Sequence, residues 1–106
     1  RSVYGYYRDG WMDERAEIRL MAGETGQIEL DFLYPRELKP DQWLTVYVNG
    51  EPVQYLELDE NQKAVQVQVL PFERVKLEIE TNFYVEDAQE QRGEDRLAVL
   101  LALKAD

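Results

Sequence analysis

The chain lacks the residues on which most catalytic and metal sites depend. Its 106 residues include no cysteine and no histidine. Without them there is no disulfide, no thiolate ligand and no imidazole base or ligand. Ser2 is the only serine, and the three threonines have no histidine to activate them. Triad-type nucleophilic catalysis is therefore excluded, and we expect this chain not to be an enzyme.

Long apolar runs and a signal-peptide pattern are also absent, so we expect no insertion into a membrane. A cysteine-free chain is typical of the cytoplasm, which is the location we expect, although a secreted domain of this size can also fold without disulfides. The length suits one domain with one core. Because the first residue is Arg1 and not methionine, we expect residues 1–106 to be a single domain excised from a longer multidomain protein.

Basic residues are scarce relative to acidic ones. Lysine and arginine number 12, aspartate and glutamate number 22, and the net charge is −10. Such a field repels phosphate backbones and anionic membranes, so we expect no nucleic-acid partner. The same charge also serves solubility.

Apolar and polar residues alternate with period two in four segments, which predicts strands with one buried and one solvated face. The apolar members are Ile28, Leu30 and Phe32; Leu44, Val46 and Val48; Val65, Val67 and Val69; and Val75, Leu77 and Ile79. Shorter candidates lie at 16–21 and 53–58. With turn residues between these segments, the pattern predicts an all-β domain: an antiparallel β-sandwich, jelly-roll or immunoglobulin-like, of about seven or eight strands.

One hairpin can be predicted in detail. The Asn49-Gly50 pair favours a type I′ turn, in which both positions have positive φ. Val48 then faces Glu51, and Tyr47 faces Pro52 as a non-hydrogen-bonded pair. Since the proline has no N–H for a further neighbour, we expect its strand to lie at a sheet edge.

Two later segments are less regular. Residues 96–104 are rich in leucine and alanine, which suit a helix, but they end an all-β series, and we predict a buried strand. Residues 86–95 are polar and charged, and we predict a long exposed loop.

Aromatic residues supply the candidate binding surface. Trp43 and Tyr47 share the face opposite the apolar residues of their strand, about 13 Å apart at ~3.3 Å per residue. Gln66 and Gln68 line an outer face beside them if their strand is a neighbour, and Trp11 belongs to an aromatic N-terminal run that could clamp the end of the sandwich. Sugars favour such a surface, because they stack their C–H faces on aromatic rings and form hydrogen bonds with amides through their hydroxyl groups. Alternatively, the rings pack under a loop or against a neighbouring domain.

Carboxylates are the remaining chemical possibility. Two of them across a cleft can hydrolyse a glycosidic bond, but one must lie in an apolar pocket, for which a thin sandwich has little depth. The sequence Asp59-Glu60-Asn61 offers oxygen donors for Ca²⁺, yet no glycine follows at the EF-hand position, and an Asx-type turn explains it equally well. We therefore expect no cofactor, with Ca²⁺ as the single candidate.

Several short motifs together resemble a known family. They read YGYY at residues 4–7, GW at 10–11, AEIRL at 16–20, VYVNG at 46–50 and RLAVLL at 96–101. This series is similar to small β-sandwich domains attached to bacterial glycosyltransferases, and it covers nearly the whole chain. The chain departs from that pattern in three ways: Met12 and Asp13 follow the GW pair where a second aromatic is common, Ala98 stands where glycine is favoured, and Asp95 directly precedes Arg96.

The resemblance implies an accessory role beside a sugar-transferring enzyme and lends this chain no catalytic residue. Its partners would be the neighbouring catalytic domain of the same polypeptide and a glycan. The alternative is a structural or protein-interaction sandwich of a larger cell-envelope or phage-type protein without sugar binding.

Overall fold

The computed structural model describes residues 2–86 and 96–106, and all regular structure in this part of the chain is β. The strands are β1 (Ser2–Tyr6), β2 (Met12–Met21), β3 (Gln27–Leu33), β4 (Trp43–Val48), β5 (Glu51–Glu57), β6 (Gln62–Gln68), β7 (Arg74–Thr81), β8 (Val85–Glu86), β9 (Arg96–Leu97) and β10 (Leu100–Ala105). No helix long and apolar enough to cross a membrane occurs among these residues.

Eight of the strands form two antiparallel sheets. The five-stranded sheet has the order β1-β2-β7-β4-β5, the three-stranded sheet has the order β10-β3-β6, and β8 pairs with β9. The predicted all-β sandwich is thus confirmed. Because β2-β7-β4-β5 lies opposite β10-β3-β6, with the chain crossing repeatedly between the sheets, the connectivity is that of a jelly roll.

The first strand departs from that scheme. A jelly roll would place it beside the last strand, whereas β1 pairs with β2 at the edge of the five-stranded sheet. A tight turn explains this position, since Tyr7 N–H donates to the Trp11 carbonyl at 2.9 Å and Gly10 N–H donates to the Tyr7 carbonyl at 3.0 Å. A turn this short leaves β1 no neighbour but β2. The Tyr6 hydroxyl then donates to the Leu101 carbonyl at 2.8 Å and ties this edge to β10.

One core lies between the two sheets. The apolar members of the four predicted alternations point into it from β3, β4, β6 and β7, joined by residues of β2 and β10. Phe32, Ile18, Leu30, Leu44 and Leu77 are among its fully buried side chains. The polar members of each strand are therefore left on the two outer faces of the sandwich.

The predicted hairpin is confirmed. Asn49 and Gly50 have φ of 51° and 87°, as a type I′ turn requires. Val48 pairs with Glu51 and Tyr47 pairs with Pro52. Their strand, β5, is the edge of the five-stranded sheet, which explains why a proline is tolerated there.

The C-terminal segment is extended, as predicted, but it is interrupted. Ala98 and Val99 belong to neither β9 nor β10, because they bond to Met12 instead: Ala98 N–H donates to the Met12 carbonyl at 2.8 Å, and Met12 N–H donates to the Val99 carbonyl at 2.9 Å. Leu97, Ala98, Val99 and Leu101 are buried, but Ala102 and Lys104 are exposed. The prediction of a buried strand is therefore wrong for the second half of the segment, where β10 has one face in solvent. Of the loop predicted at 86–95, residue 86 ends β8 and residues 87–95 lie outside the described residues.

Candidate functional site

The outer face of the five-stranded sheet carries the aromatic residues singled out in the sequence. Along β4, Leu44 and Val46 are fully buried, and the alternation leaves Trp43, Thr45 and Tyr47 on the opposite side. Trp43 and Tyr47 therefore share one face, as predicted. Both side chains are half-buried, between the fully exposed and fully covered extremes.

A bulge in β5 adds a third aromatic residue to this face. Had the hairpin pairing continued regularly, Tyr55 would face Leu44 and point into the core. Between Val46 and Tyr47 the register shifts, so that Val53 is the extra residue and Tyr55 pairs with Thr45. A one-residue shift reverses the face of every later side chain. Tyr55 consequently lies outside, 55% exposed, while Leu56 turns towards the core.

Trp43 and Tyr55 form the floor of an open groove. They are diagonal neighbours on adjacent strands, with ring centroids 6.0 Å apart and planes inclined at 36°. The groove encloses about 600 Å³, and its other lining residues include Leu38, Lys39, Asp41, Glu57, Asp59 and Asn82. We call it the aromatic groove. It combines two ring faces with carboxylates, an amide and an ammonium group, which suits a polyhydroxylated ligand.

The loop that borders the aromatic groove is held by side-chain and backbone hydrogen bonds. The Asn82 side-chain amide accepts a hydrogen bond from the backbone N–H of Trp43 at 2.9 Å and donates one to the Asp41 carbonyl at 2.6 Å. Leu58 N–H donates to the Gln42 carbonyl at 2.9 Å. Since Asp41 itself has φ of 63°, this loop is bent and pinned at several points. A groove fixed in this way loses little freedom when a ligand binds.

One carboxylate of the aromatic groove has a defined ionisation state. Asp59 forms an ion pair with Lys63. The hydrogen bond from Lys63 lowers the pKa of Asp59, and the same bond raises the pKa of Lys63. Asp59 is therefore ionised at neutral pH and accepts hydrogen bonds. A glycosidic general acid needs the opposite shift, a raised carboxyl pKa.

The other predicted site residues lie elsewhere. Gln66 and Gln68 belong to β6, which pairs with β3 in the three-stranded sheet. They are exposed on the outer face of that sheet, on the opposite side of the sandwich from Trp43. Gln66 and Gln68 were expected beside Trp43 only if β6 neighbours β4, and β6 instead lies in the other sheet. Trp11 lies in the turn after β1, where the Arg36 guanidinium carbon is 5.5 Å from its ring centroid.

The Ca²⁺ candidate is occupied by protein contacts. Besides the pairing of Asp59 with Lys63, the Asn61 amide nitrogen donates to the carbonyls of Tyr34 at 2.7 Å and Arg36 at 3.0 Å. Within residues 2–86 and 96–106, no group of three or more acidic side chains is placed to hold a metal ion. The side chains of Asp59 and Asn61 are thus both engaged by other parts of the chain.

Of the five predicted site residues, the structure thus brings together only Trp43 and Tyr47, and it adds Tyr55. No protein-family model, curated protein or solved structure matches the chain. A functional proposal therefore starts from the geometry of the outer face.

Proposed function

We propose that this domain is a non-catalytic accessory module that contacts glycan through the aromatic groove. The observation that carries the proposal is the Trp43–Tyr55 pair, two adjacent rings on the outside of a rigid sheet with polar groups around them. Exposed aromatic surface of this kind usually marks an interface. Sugar rings stack their C–H faces on aromatic rings while their hydroxyl groups remain free to bond sideways.

The arrangement of the two rings suits a chain of sugars more than a single unit. Their centroids are 6.0 Å apart and their planes are inclined at 36°, so each ring can underlie a different unit of a twisted oligosaccharide. Tyr47 lies farther along the same face, paired with Glu78 of β7. The face thereby offers further contacts in the direction away from Trp43.

The polar lining of the aromatic groove matches hydroxyl groups. Glu57 and Asp59 supply carboxylate acceptors, and Lys39 supplies a donor. Because Asp59 is ionised at neutral pH, it forms charge-assisted hydrogen bonds with hydroxyl donors. Such contacts orient a sugar that the rings alone would hold without selectivity.

The biological setting follows from the motif resemblance. We propose that the domain lies beside a glycosyltransferase catalytic domain in a cytoplasmic protein, where it holds acceptor glycan near the catalytic centre. It supplies binding and positioning, and the transfer reaction belongs to the neighbouring domain.

A titration with neutral oligosaccharides tests glycan contact. The labelled protein is followed by two-dimensional ¹⁵N NMR as sugar is added to millimolar concentration, which corresponds to about 4 kcal/mol of binding free energy. We expect shifts at the Trp43 indole and at the amides of β4 and β5. Tyr55→Ala should abolish them, whereas Tyr4→Ala should retain them, because Tyr4 is a 76% exposed tyrosine at the other edge of the sheet. No shift at Trp43 with any sugar would refute glycan contact.

Contact with the neighbouring domain is the second candidate role, and the loop between β6 and β7 favours it. Leu70 and Phe72 are 71% and 61% exposed, and Phe72 has φ of 61°, an uncommon conformation for a bulky residue. In the two-domain protein, Phe72→Ser should increase amide hydrogen exchange in the partner domain if this loop packs on it. Unchanged exchange would exclude this contact.

A further inference from the structure

Three cations gather on the outer face of the five-stranded sheet, although the chain as a whole carries a net charge of −10. Arg19, Arg74 and Lys76 line a shallow groove of about 560 Å³, together with Ser2 and Met21. We call these three residues the basic cluster. Three cations grouped in this way on an acidic protein offer a place where an anionic group can bind.

The strand register places the three positive charges close together. Arg19 of β2 lies directly opposite Lys76 of β7, and Arg74 is opposite Met21, which makes it a diagonal neighbour of Arg19. Like charges directly opposite each other on a sheet face are unfavourable. The sheet therefore maintains a like-charge pair, which a bound anion would relieve.

Glutamates neutralise this cluster only in part. Arg19 Nε lies 3.2 Å from a Glu17 oxygen, and Lys76 Nζ lies 3.4 Å from a Glu78 oxygen. Arg74 has no ion-pair partner within residues 2–86 and 96–106. Its guanidinium is exposed, and an arginine can bind a carboxylate or phosphate through two parallel hydrogen bonds.

The basic cluster and the aromatic groove occupy the same face. Tyr47 pairs with Glu78, and Lys76 is two residues from Glu78 along β7, so Lys76 is a diagonal neighbour of Tyr47. Trp43 is four residues from Tyr47 in the other direction, about 13 Å at ~3.3 Å per residue. One extended ligand can therefore reach from Trp43 past Tyr47 to the basic cluster.

We propose that the ligand of this face is an anionic glycan. Its sugar rings lie on Trp43 and Tyr55, and a carboxylate or phosphate group farther along the chain binds Arg19, Arg74 and Lys76. This inference rests on the proposed glycan contact and adds the class of glycan. The shared chemistry is a negatively charged oxygen group, which a uronic acid or a sugar phosphate can supply.

The experiment compares matched ligands with the whole chain by ¹⁵N NMR titration at low salt. The probes are hexa-galacturonic acid, which is long enough to reach from Trp43 to Arg74, and the same hexasaccharide after reduction of its carboxylates to hydroxymethyl groups. We expect the acidic hexasaccharide to bind at least about tenfold more tightly, since one Arg–carboxylate contact contributes roughly that factor. It should shift Trp43 together with Arg74 and Lys76. Glucose 6-phosphate shows whether phosphate is accepted in place of carboxylate.

Two variants locate the charge effect. Arg74→Gln should reduce the preference for the acidic hexasaccharide to less than about threefold, and raising the salt concentration should do the same because exposed charges are screened. Lys104→Gln is the matched control, since this exposed cation lies on β10 in the other sheet. Its removal should leave the preference unchanged.

The outcomes separate the inference from the proposed function. Equal affinity for the two hexasaccharides, with shifts at Trp43, would overturn the inference and leave glycan contact standing. Shifts at Arg74 and Lys76 without any at Trp43 would support the anion site and refute glycan contact through the aromatic groove. Equal loss of preference in Arg74→Gln and Lys104→Gln would show that net charge, and not the basic cluster, selects the ligand.

Discussion

Replacing Gly26 with alanine tests how closely two loops pack at one end of the sandwich. Gly26 has φ of 73°, and a Cβ atom there would meet the Val69 carbonyl oxygen. The Gly26 carbonyl also accepts a hydrogen bond from Val69 N–H at 2.9 Å. Gly50 is the matched control, because its φ of 87° is similar but no atom lies within 4 Å of the position that a Cβ would occupy.

The two substitutions should differ in magnitude for this reason. Gly50→Ala costs about 1–2 kcal/mol for the left-handed backbone, offset by ~0.4–1 kcal/mol from the restricted unfolded chain, and so about 1 kcal/mol net. Gly26→Ala has the same backbone cost and also displaces the Val69 backbone and its hydrogen bond. We expect this to reduce the free energy of unfolding by about 2 kcal/mol more than Gly50→Ala does. At about 4 °C per kcal/mol for a domain of this size, Tm should fall by about 4 °C in Gly50→Ala and about 12 °C in Gly26→Ala.

Urea denaturation measures both free energies of unfolding, with the slope of the transition as a check that the unfolded state is unchanged. If the two variants lose equal stability, the close approach of Gly26 to Val69 does not constrain the fold, and positive φ alone explains both losses.

The remaining predictions concern the core, the border of the aromatic groove and one ion pair. Leu44→Ala should cost about 3 kcal/mol in urea denaturation because Leu44 is fully buried, and Leu33→Ala, at a residue 42% exposed, should cost much less; equal losses would contradict the assigned faces. Asn82→Ala should speed amide hydrogen exchange in the loop before β4, since two hydrogen bonds to that region are lost; unchanged exchange would show that the amide does not order it. Lys63→Met should raise the pKa of Asp59 towards its ordinary value of 3.8 in a carboxyl NMR titration. The stability contributed by the lowered Asp59 pKa is present above pH 3.8 and is lost as the pH falls through the pKa of the folded state. The stability contributed by the raised Lys63 pKa is present below its ordinary pKa of 10.5 and is lost as the pH rises through the pKa of the folded state. A difference in stability between wild type and variant that does not depend on pH would refute this coupling.

Local patterns predicted the strands and the hairpin because each depends on neighbouring residues. The alternation in β3, β4, β6 and β7 specifies the buried face wherever one side of a strand meets a core. The Asn49-Gly50 turn requires only positive φ at two adjacent positions. These features need no knowledge of which strands become neighbours.

Features that depend on distant pairing were not predicted. Gln66 and Gln68 were grouped conditionally with Trp43, yet the alternation of β6 is the same whichever sheet it joins. Ala98 and Val99 break the C-terminal strand because their backbone groups bond to Met12, far away in sequence. Nothing in the sequence of residues 96–104 indicates that contact.

The bulge at Val53 connects the fold to the proposed site. In a regular hairpin Tyr55 and Leu44 would both point into the core, and Leu56 would lie outside. The extra residue exchanges the positions of Tyr55 and Leu56: it places Leu56 over the core and Tyr55 on the outer face beside Trp43. The same shift that improves packing at an edge strand therefore assembles the aromatic groove. Pro52 lies in this edge strand directly before the bulge. The protection of the sheet edge and the binding face therefore depend on a few neighbouring residues of β5.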